Sequence, residues 1–461
     1  MPKITVIGAG SASFGENTLA AIMRSKKLRG TTLALVDKNN QNLDIVHRLA
    51  NRLNLEWEAG FTIEAHLHHR DALPGSDFVV SAIEVGPREV LWKSDYEIPL
   101  KYGVHQPYAE NGGPGGFAHA VRNIGPVMEI VHDMEQVCPQ AWFINFTNPM
   151  TRICDAVNRY SRIKAVGLCH QIFIGYAFAG LALAEELGIE PPEDLEGMHA
   201  DPIQHALREN LIHKAVERVE IRAAGTNHFT WMLSLQDKQT GEDLLPLFHE
   251  RFLALDPKFE PLTRDVYQAF GVFPIPGDTH LCEYLPWVSD PVTEPWEKYQ
   301  LRLYDWDLAA GLRDFSLDRL NDMAGGFMTV DGLLDTDSEG ALEMIENISF
   351  DGNHYHLAAN LPNTGQIANL PQGATVETPV RVDVNGIHPV HVGELPEPVA
   401  ELCRRELLVG RLCVDAAVEG SREKALQCLL LDPMITDIST AKSVLDDYLT
   451  SYKAHLPQFW E

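Results

Sequence analysis

The feature that most constrains the fold is the opening of the chain. An apolar run, Lys3-Ile-Thr-Val-Ile7, ends in Gly8-Ala-Gly10. Asn17 to Arg24 then places Leu19, Ile22 and Met23 on one helical face. A second apolar run, Thr32-Leu-Ala-Leu-Val36, ends in Asp37. Strand, glycine turn, helix, strand and acid make a βαβ unit, whose strands lie parallel and need cover on both faces. Such a turn suits a dinucleotide. Glycines let the backbone approach a pyrophosphate, the helix N-terminus supplies N–H groups, and Asp37 can accept from a ribose hydroxyl. Gly8, Gly10, Ser11, Phe14 and Asp37 are therefore the candidate cofactor residues, and the acid favours NAD over NADP. The fingerprint has a flaw, because the third glycine position holds Ser13 and the next glycine is Gly15.

The alternation continues. Asp77 to Ile83 reads as a third strand, Val121 to Val137 as a helix, Trp142 to Phe146 as a fourth strand and Lys164 to Leu168 as a fifth. This predicts an α/β chain with a Rossmann-type doubly wound sheet and an interlocked α+β C-terminal domain, the boundary falling between residues 195 and 196. Glu110-Asn-Gly-Gly-Pro-Gly-Gly-Phe117 reads as too glycine-rich for a helix. It is either a flexible loop or a backbone that approaches a ligand closely. Asn145-Phe-Thr-Asn148-Pro149 lies at a strand end, where ligands of open α/β sheets collect. Its amides can bind a nicotinamide or sugar hydroxyls, or Thr147 can cap the next helix. Farther on, His199, His205 and His213 lack metal-ligand spacing and read as surface histidines. Val219 to Ala223 and Val380 to Val384 are strand-like, and Val399 to Glu419 and Thr440 to His455 are helical.

Charge and cysteine usage narrow the function. The net charge of −28 argues against nucleic acid and anionic membrane as partners. No apolar run approaches the ~20 residues of a membrane span, and Met1-Pro-Lys-Ile-Thr leads straight into a strand, so a soluble, cytoplasmic protein is expected. Seven widely spaced cysteines without a CxxC pair argue against a disulfide framework. Cys169 differs from the others because His170 follows it at a strand end. With His228, in Gly225-Thr-Asn227-His228, it makes a possible thiolate–imidazole metal pair. The 59 residues between them match no local metal motif.

The set Gly8-Ala-Gly10-Ser-Ala-Ser-Phe14, Asn111-Gly-Gly-Pro-Gly-Gly116, Asn145-Phe-Thr-Asn-Pro-Met150, Cys169-His170, Asn227-His228-Phe-Thr-Trp231, Gly277-Asp-Thr-His280 and Asn363-Thr-Gly-Gln366, in that order, resembles glycoside hydrolase family 4. The resemblance runs from residue 3 to about residue 450. It implies a lactate/malate dehydrogenase-like nucleotide fold, NAD and Mn²⁺ as cofactors, and a small-molecule glycoside as substrate. It also implies a homodimer or homotetramer. This family departs from the two-carboxylate mechanism of other glycosidases. The implied route oxidises the sugar at C3, removes the proton at C2, eliminates the leaving group and adds water.

The resemblance makes Cys169 and His228 the metal ligands. His170, where a phospho-sugar branch has Asp, points to non-phosphorylated α-glucosides, α-galactosides or α-hexuronides, with His170 as acid at the leaving oxygen. Asp278 is favoured over Tyr284 as the C2 base. Asn145 is expected on the cofactor, and Asn148, Asn111 and Asn227 on the substrate, with His280 completing the metal or sugar shell. A uronate would want an arginine, with Arg302, Arg122 and Arg152 as candidates. Two rivals remain at this level: a 2-hydroxy-acid dehydrogenase, which has no use for the Cys169 and His228 pair, and a non-catalytic NAD sensor. The long segment from Met198 to Lys214 departs from the family pattern and could form a lid or subunit contact.

Overall fold

The computed structural model describes the whole chain apart from residues 12–14, 107, 191–201, 302, 337 and 461, and the side chains of residues 15, 16 and 202–207. Twelve strands form one sheet among the described residues: β1 (Lys3–Ile7), β2 (Thr32–Val36), β3 (Thr62–His66), β4 (Phe78–Ser81), β5 (Trp142–Asn145), β6 (Lys164–Gly167), β7 (Val219–Thr226), β8 (Phe229–Asp237), β9 (Phe273–Pro274), β10 (His354–Pro362), β11 (Thr375–Asp383) and β12 (Gly386–Pro389). Along the sheet they run β3-β2-β1-β4-β5-β6-β10-β11-β7-β8-β9, with β12 beside β11.

The first six are parallel in the 3-2-1-4-5-6 order of a dinucleotide fold. Their four central members are almost wholly buried, which explains why they read as unbroken apolar runs. β3 is the exposed edge, so Thr62 to His66 carries no such run. The remaining strands pair antiparallel, and the two halves join through Asn360 opposite Gly167. β11 is linked in turn to β7 through Glu377 opposite Gly225. Gly167 must lack a side chain, because a Cβ there would lie 2.4 Å from Met150 Sδ and 2.7 Å from Cys154 Sγ.

Helices cover both faces. One layer sets Gly15–Arg24 and Asn40–Glu56 beside Trp306–Gly325 and Ala341–Ser349, joined by a core that includes Leu19, Leu49, Leu320 and Met344. The other layer packs Gly113–Val137 and Met150–Tyr160 against the C-terminal helices Glu397–Glu419, Arg422–Leu431 and Ile438–Ser451. Val121, Ile124 and Val127 share one core with Val409, Val414 and Leu445. The last sixty residues thus complete the core of the nucleotide half. The expected domain boundary lies outside the described residues, as do Ser13, Phe14, His199 and Arg302 and the side chain of His205.

One expectation fails. The glycine-rich run does not stay out of helix, since Gly113–Val137 begins inside it, with Pro114 in its first turn. Proline is pre-shaped for that position. The glycines serve close packing: a Cβ on Gly115 would sit 2.4 Å from Ala109 Cβ, and one on Gly116 2.3 Å from the Asn111 carbonyl. Of the three histidines, His205 and His213 fall in the helix Pro202–Arg218, where exposed His213 lies beside Glu217. Among the described residues no helix is long and apolar enough to cross a membrane.

Candidate active site

The nucleotide end lies at the carboxyl edge of β1 and β2. Gly8 has φ +81°, and a Cβ there would lie 2.4 Å from the Ala82 carbonyl. At Gly10 a Cβ would meet Asn42 Cβ at 2.6 Å and Asp37 Oδ2 at 2.8 Å. Asp37 Oδ2 accepts the Gly10 N–H (2.9 Å) and Oδ1 accepts that of Asn39 (2.8 Å). The carboxylate is partly exposed, and each oxygen keeps a lone pair for a ribose hydroxyl. Ser11 N–H donates back to Gly8 O (3.0 Å), closing the turn.

The second centre forms where the parallel and antiparallel halves meet. β6 delivers Cys169, the turn between β7 and β8 delivers His228, and Cys169 Sγ lies 3.4 Å from His228 Nε2. Two such ligands on one ion, at zinc-type lengths of about 2.3 and 2.0–2.1 Å, sit about 3.1–3.5 Å apart. The donor pair therefore fits a divalent transition metal. Of the seven cysteines, all unpaired, Cys169 alone is not buried.

Around His228 the chain converges. Its Nδ1 is 2.7 Å from Asn111 Nδ2 and 4.0 Å from Glu110 Oε2, and its ring centroid is 3.9 Å from that of His280. Glu110, His228 and His280 bring ligand atoms within 4.8 Å of one another. Glu283 organises this group. Its Oε2 accepts the N–H groups of Glu110 (2.8 Å), Asn111 (2.5 Å) and Gly112 (3.2 Å), and its Oε1 lies 2.7 Å from His280 Nδ1. With Nδ1 engaged by Glu283, Nε2 is the His280 nitrogen left to ligate, the usual arrangement when a carboxylate holds a ligating histidine. Glu110 takes Arg88 at 2.7 Å and Asn148 at 3.2 Å.

The electrostatics follow from this packing. Burial, with the neighbouring His280 and His170, pushes His228 well below the ordinary imidazole range, so it is neutral and can ligate. Although Cys169 is only half-buried, desolvation by the protein packed around its thiol, with the Glu377 carboxylate, pushes it up, so a metal must displace a proton to bind there. Burial opposes ionisation of Glu110, but Arg88, His280 and His119 outweigh it and hold the carboxyl below its ordinary value. The hydrogen bond to Glu339 Oε1 (3.2 Å) raises the His170 imidazole above its ordinary range, which favours the protonated form.

The structure thus gathers Cys169, His228, His280, Asn111 and Asn148, with His170 beside Cys169 on the exposed side. Other expected residues lie elsewhere. Asn145 is fully buried, and its amide bonds Thr147 O (2.9 Å), Thr147 N (3.2 Å) and Met150 Sδ (3.1 Å), which closes the turn after β5. Thr147 caps no helix, and its hydroxyl instead ties Ile83 at the end of β4. Asn227 donates its amide to Glu377 (2.7 Å), which holds the turn that carries His228.

The two candidate bases also differ in surroundings. Tyr284 is buried against Phe229, its hydroxyl donates weakly to Asn227 O (3.4 Å), and burial and Glu283 raise it well above the phenol range. It lines a cleft of about 300 Å³ with Asn111, Asn227, Arg152 and Glu406. Asp278 accepts from Thr263 N (2.7 Å) and Leu262 N (3.1 Å) at the start of the helix Pro261–Phe270. Burial and Glu260 push its carboxyl well up. Arg122 is locked to Asp95 by two 2.6 Å contacts and Arg152 to Glu406, so neither is available to a uronate.

Sequence reasoning missed Glu110, Glu283, Arg88, Gln171 and Glu377. Adjacency was the available signal for two of them, since Glu110 precedes the glycine run and Gln171 follows Cys169-His170.

The comparisons agree with this architecture. The description "Family 4 glycosyl hydrolase" matches residues 3–178, and "Family 4 glycosyl hydrolase C-terminal domain" matches residues 223–435. The chain belongs to glycosyl hydrolase family 4 and is a glycosidase. That sets aside the hydroxy-acid dehydrogenase and the NAD sensor. It is 28% identical to an alpha-glucosidase of Erwinia rhapontici over 96% of both chains. It is 29% identical to an alpha-galactosidase of Bacillus subtilis over all of both. Among solved structures it resembles a 6-phospho-beta glucosidase from Thermotoga maritima with manganese, NAD⁺ and glucose-6-phosphate, at TM-score 0.79 and 22% identity over 99% of each chain. A 6-phospho-alpha-glucosidase from gut microorganisms in complex with NAD and Mn²⁺ gives TM-score 0.78 and 20% identity, again over 99% of each.

Proposed function

We propose that the protein is an NAD- and divalent-metal-dependent glycosidase acting on a non-phosphorylated α-glycoside. The observation that carries the reading is the 3.4 Å approach of Cys169 Sγ to His228 Nε2, on the sheet that also bears the Gly8–Gly10 turn. Two solved structures of this fold are complexes with NAD and manganese. Bound here, the nicotinamide would accept and return a hydride at C3, and the metal, Mn²⁺ by this reading, would act as a Lewis acid on the sugar oxygens.

The chain's own residues do the rest. Gly8, Gly10 and Asp37 hold the nucleotide. Cys169 and His228 hold the metal, with His280 and Glu110 at its rim. Asn148 and Asn111, both fixed on Glu110, orient sugar hydroxyls. His170, kept protonated by Glu339, gives a proton to the leaving oxygen. Asp278, two residues from His280, takes the C2 proton. Burial and Glu260 raise this carboxyl, which makes it a stronger base than an exposed aspartate. A uronate would meet Arg88, which pairs with Glu110 as Arg152 does with Glu406 but is 39% exposed where Arg152 is buried.

The test is a panel of aryl α- and β-glycosides, with uronides and 6-phosphorylated forms, assayed with NAD⁺, Mn²⁺ and a thiol reductant. Turnover of a non-phosphorylated α-glycoside, lost on adding a chelator and without accumulation of NADH, is expected. Turnover of 6-phosphorylated substrates alone, or activity indifferent to chelator, contradicts the reading.

A further inference from the structure

His228 stands in an unusual backbone conformation for a histidine, with φ 61°. Side chains other than glycine rarely adopt this region, and such outliers persist where the surroundings over-determine them. Asn227 and His228 are the whole of the turn between β7 and β8, since Thr226 pairs with Phe229. The sulfur-to-nitrogen distance of the metal pair therefore depends on a turn that would relax if left alone.

Two buried side chains prevent that. Gln171 Oε1 accepts the His228 N–H at 3.0 Å. The same amide is paired with the Thr230 hydroxyl, from Nε2 at 3.0 Å and to Oε1 at 3.1 Å. Gln171, Thr230 and His228 are 1%, 2% and 4% exposed, so water does not replace these bonds. From the other side Glu377 Oε2 accepts Asn227 Nδ2 at 2.7 Å and Asn360 Nδ2 at 2.8 Å. Gln171 is two residues from Cys169, so one three-residue segment supplies the first ligand and fixes the backbone of the second.

We propose that Gln171, with Thr230 behind it, is a positioning residue that sets the spacing of the Cys169 and His228 ligands, so that metal affinity depends on a side chain that touches neither metal nor sugar. The inference rests on the metal-pair reading above. Glu377 restrains the neighbouring residue, which leaves His228 itself to Gln171.

The experiment is calorimetric titration of Mn²⁺ into the NAD-free, reduced full chain, with NAD⁺ affinity and circular dichroism measured on each variant. Gln171→Leu keeps the bulk and removes the bonds. It should weaken Mn²⁺ on the order of ten- to a hundredfold, the range for outer-shell partners of metal ligands. NAD⁺ affinity should stay within about twofold. Thr230→Val should weaken Mn²⁺ by less, and should add nothing in the Gln171→Leu background, whereas Thr230→Ser, which keeps the hydroxyl, should match the unchanged protein. If Gln171→Leu does not fold, Thr230→Val against Thr230→Ser decides. Mn²⁺ affinity unaltered in Gln171→Leu or Thr230→Val, while Cys169→Ser and His228→Ala abolish it, overturns the positioning role alone. So does an equal loss of Mn²⁺ and NAD⁺ affinity. Failure of the unchanged protein to bind Mn²⁺, or undiminished binding by Cys169→Ser and His228→Ala, overturns the metal pair and the positioning role with it.

Discussion

Asp37 and Glu283 perform related tasks at the two ends of the site. Asp37 accepts N–H groups from Gly10, 27 residues before it, and from Asn39, and stays partly exposed. Glu283 is fully buried and accepts three successive N–H groups from a turn 171 to 173 residues before it, besides contacting His280. The first carboxylate shapes a local turn and keeps lone pairs for a ligand. The second is spent entirely on joining distant segments. A cofactor cradle can be built from one stretch of chain, whereas the metal end has to be assembled by buried polar groups that satisfy one another.

If that contrast is right, damage at one end should leave the other intact. The largest effect is expected at the ligands: Cys169→Ser and His228→Ala should each lower turnover on the order of a thousandfold, the scale of losing a main electrostatic stabiliser. Mn²⁺ binding should vanish while NAD⁺ affinity holds, both measurable by titration. Next comes Glu283→Gln, which should reduce metal affinity on the order of ten- to a hundredfold and lower stability by about 2 kcal/mol. Equal loss of NAD⁺ binding in that variant would break the comparison.

Asp37→Ala should weaken NAD⁺ by about tenfold, the scale of a hydrogen bond to a charged group. It should also narrow the preference over NADP, because the repulsion of a 2′-phosphate is removed. Titration of both nucleotides checks this, and Mn²⁺ affinity should not move. The smallest effect is expected from Glu339→Gln. Glu339 holds His170 protonated to higher pH, and an acid works only while protonated, so activity should fall as pH rises through that raised pKa. Removing the charge should shift this alkaline limb to lower pH, which a kcat profile with saturating Mn²⁺ and NAD⁺ would read.

The same contrast explains what the sequence disclosed. β1, β2, β4, β5 and β6 were legible because strands buried on both faces are continuous apolar runs. The Gly8–Gly10 turn and Asp37 were legible because they are close in sequence. The edge strand β3 was not, since half-exposed residues blur its pattern, and the helix at Gly113 was not, because its glycines answer to packing against Ala109 and Asn111. The Cys169 and His228 pair was offered by residue type, with no spacing rule to support it, and resemblance then made the two the ligands. Glu283 and Glu377 are ordinary acids until the fold shows their partners. The local bonds of Asn145 were not legible either, since its amide closes the turn that it begins.

The central claim is that the bond to the leaving group breaks through oxidation at C3 and deprotonation at C2, and not by displacement at C1. Removal of the C2 hydrogen by Asp278, followed by addition of water, restores a hydrogen drawn from solvent. Hydrolysis of a turned-over α-glycoside in D₂O, with the product sugar examined by NMR, therefore tests the claim directly. The account predicts deuterium at C2 of the released sugar, and a product that carries only hydrogen there, formed at the full NAD⁺- and Mn²⁺-dependent rate, would contradict it.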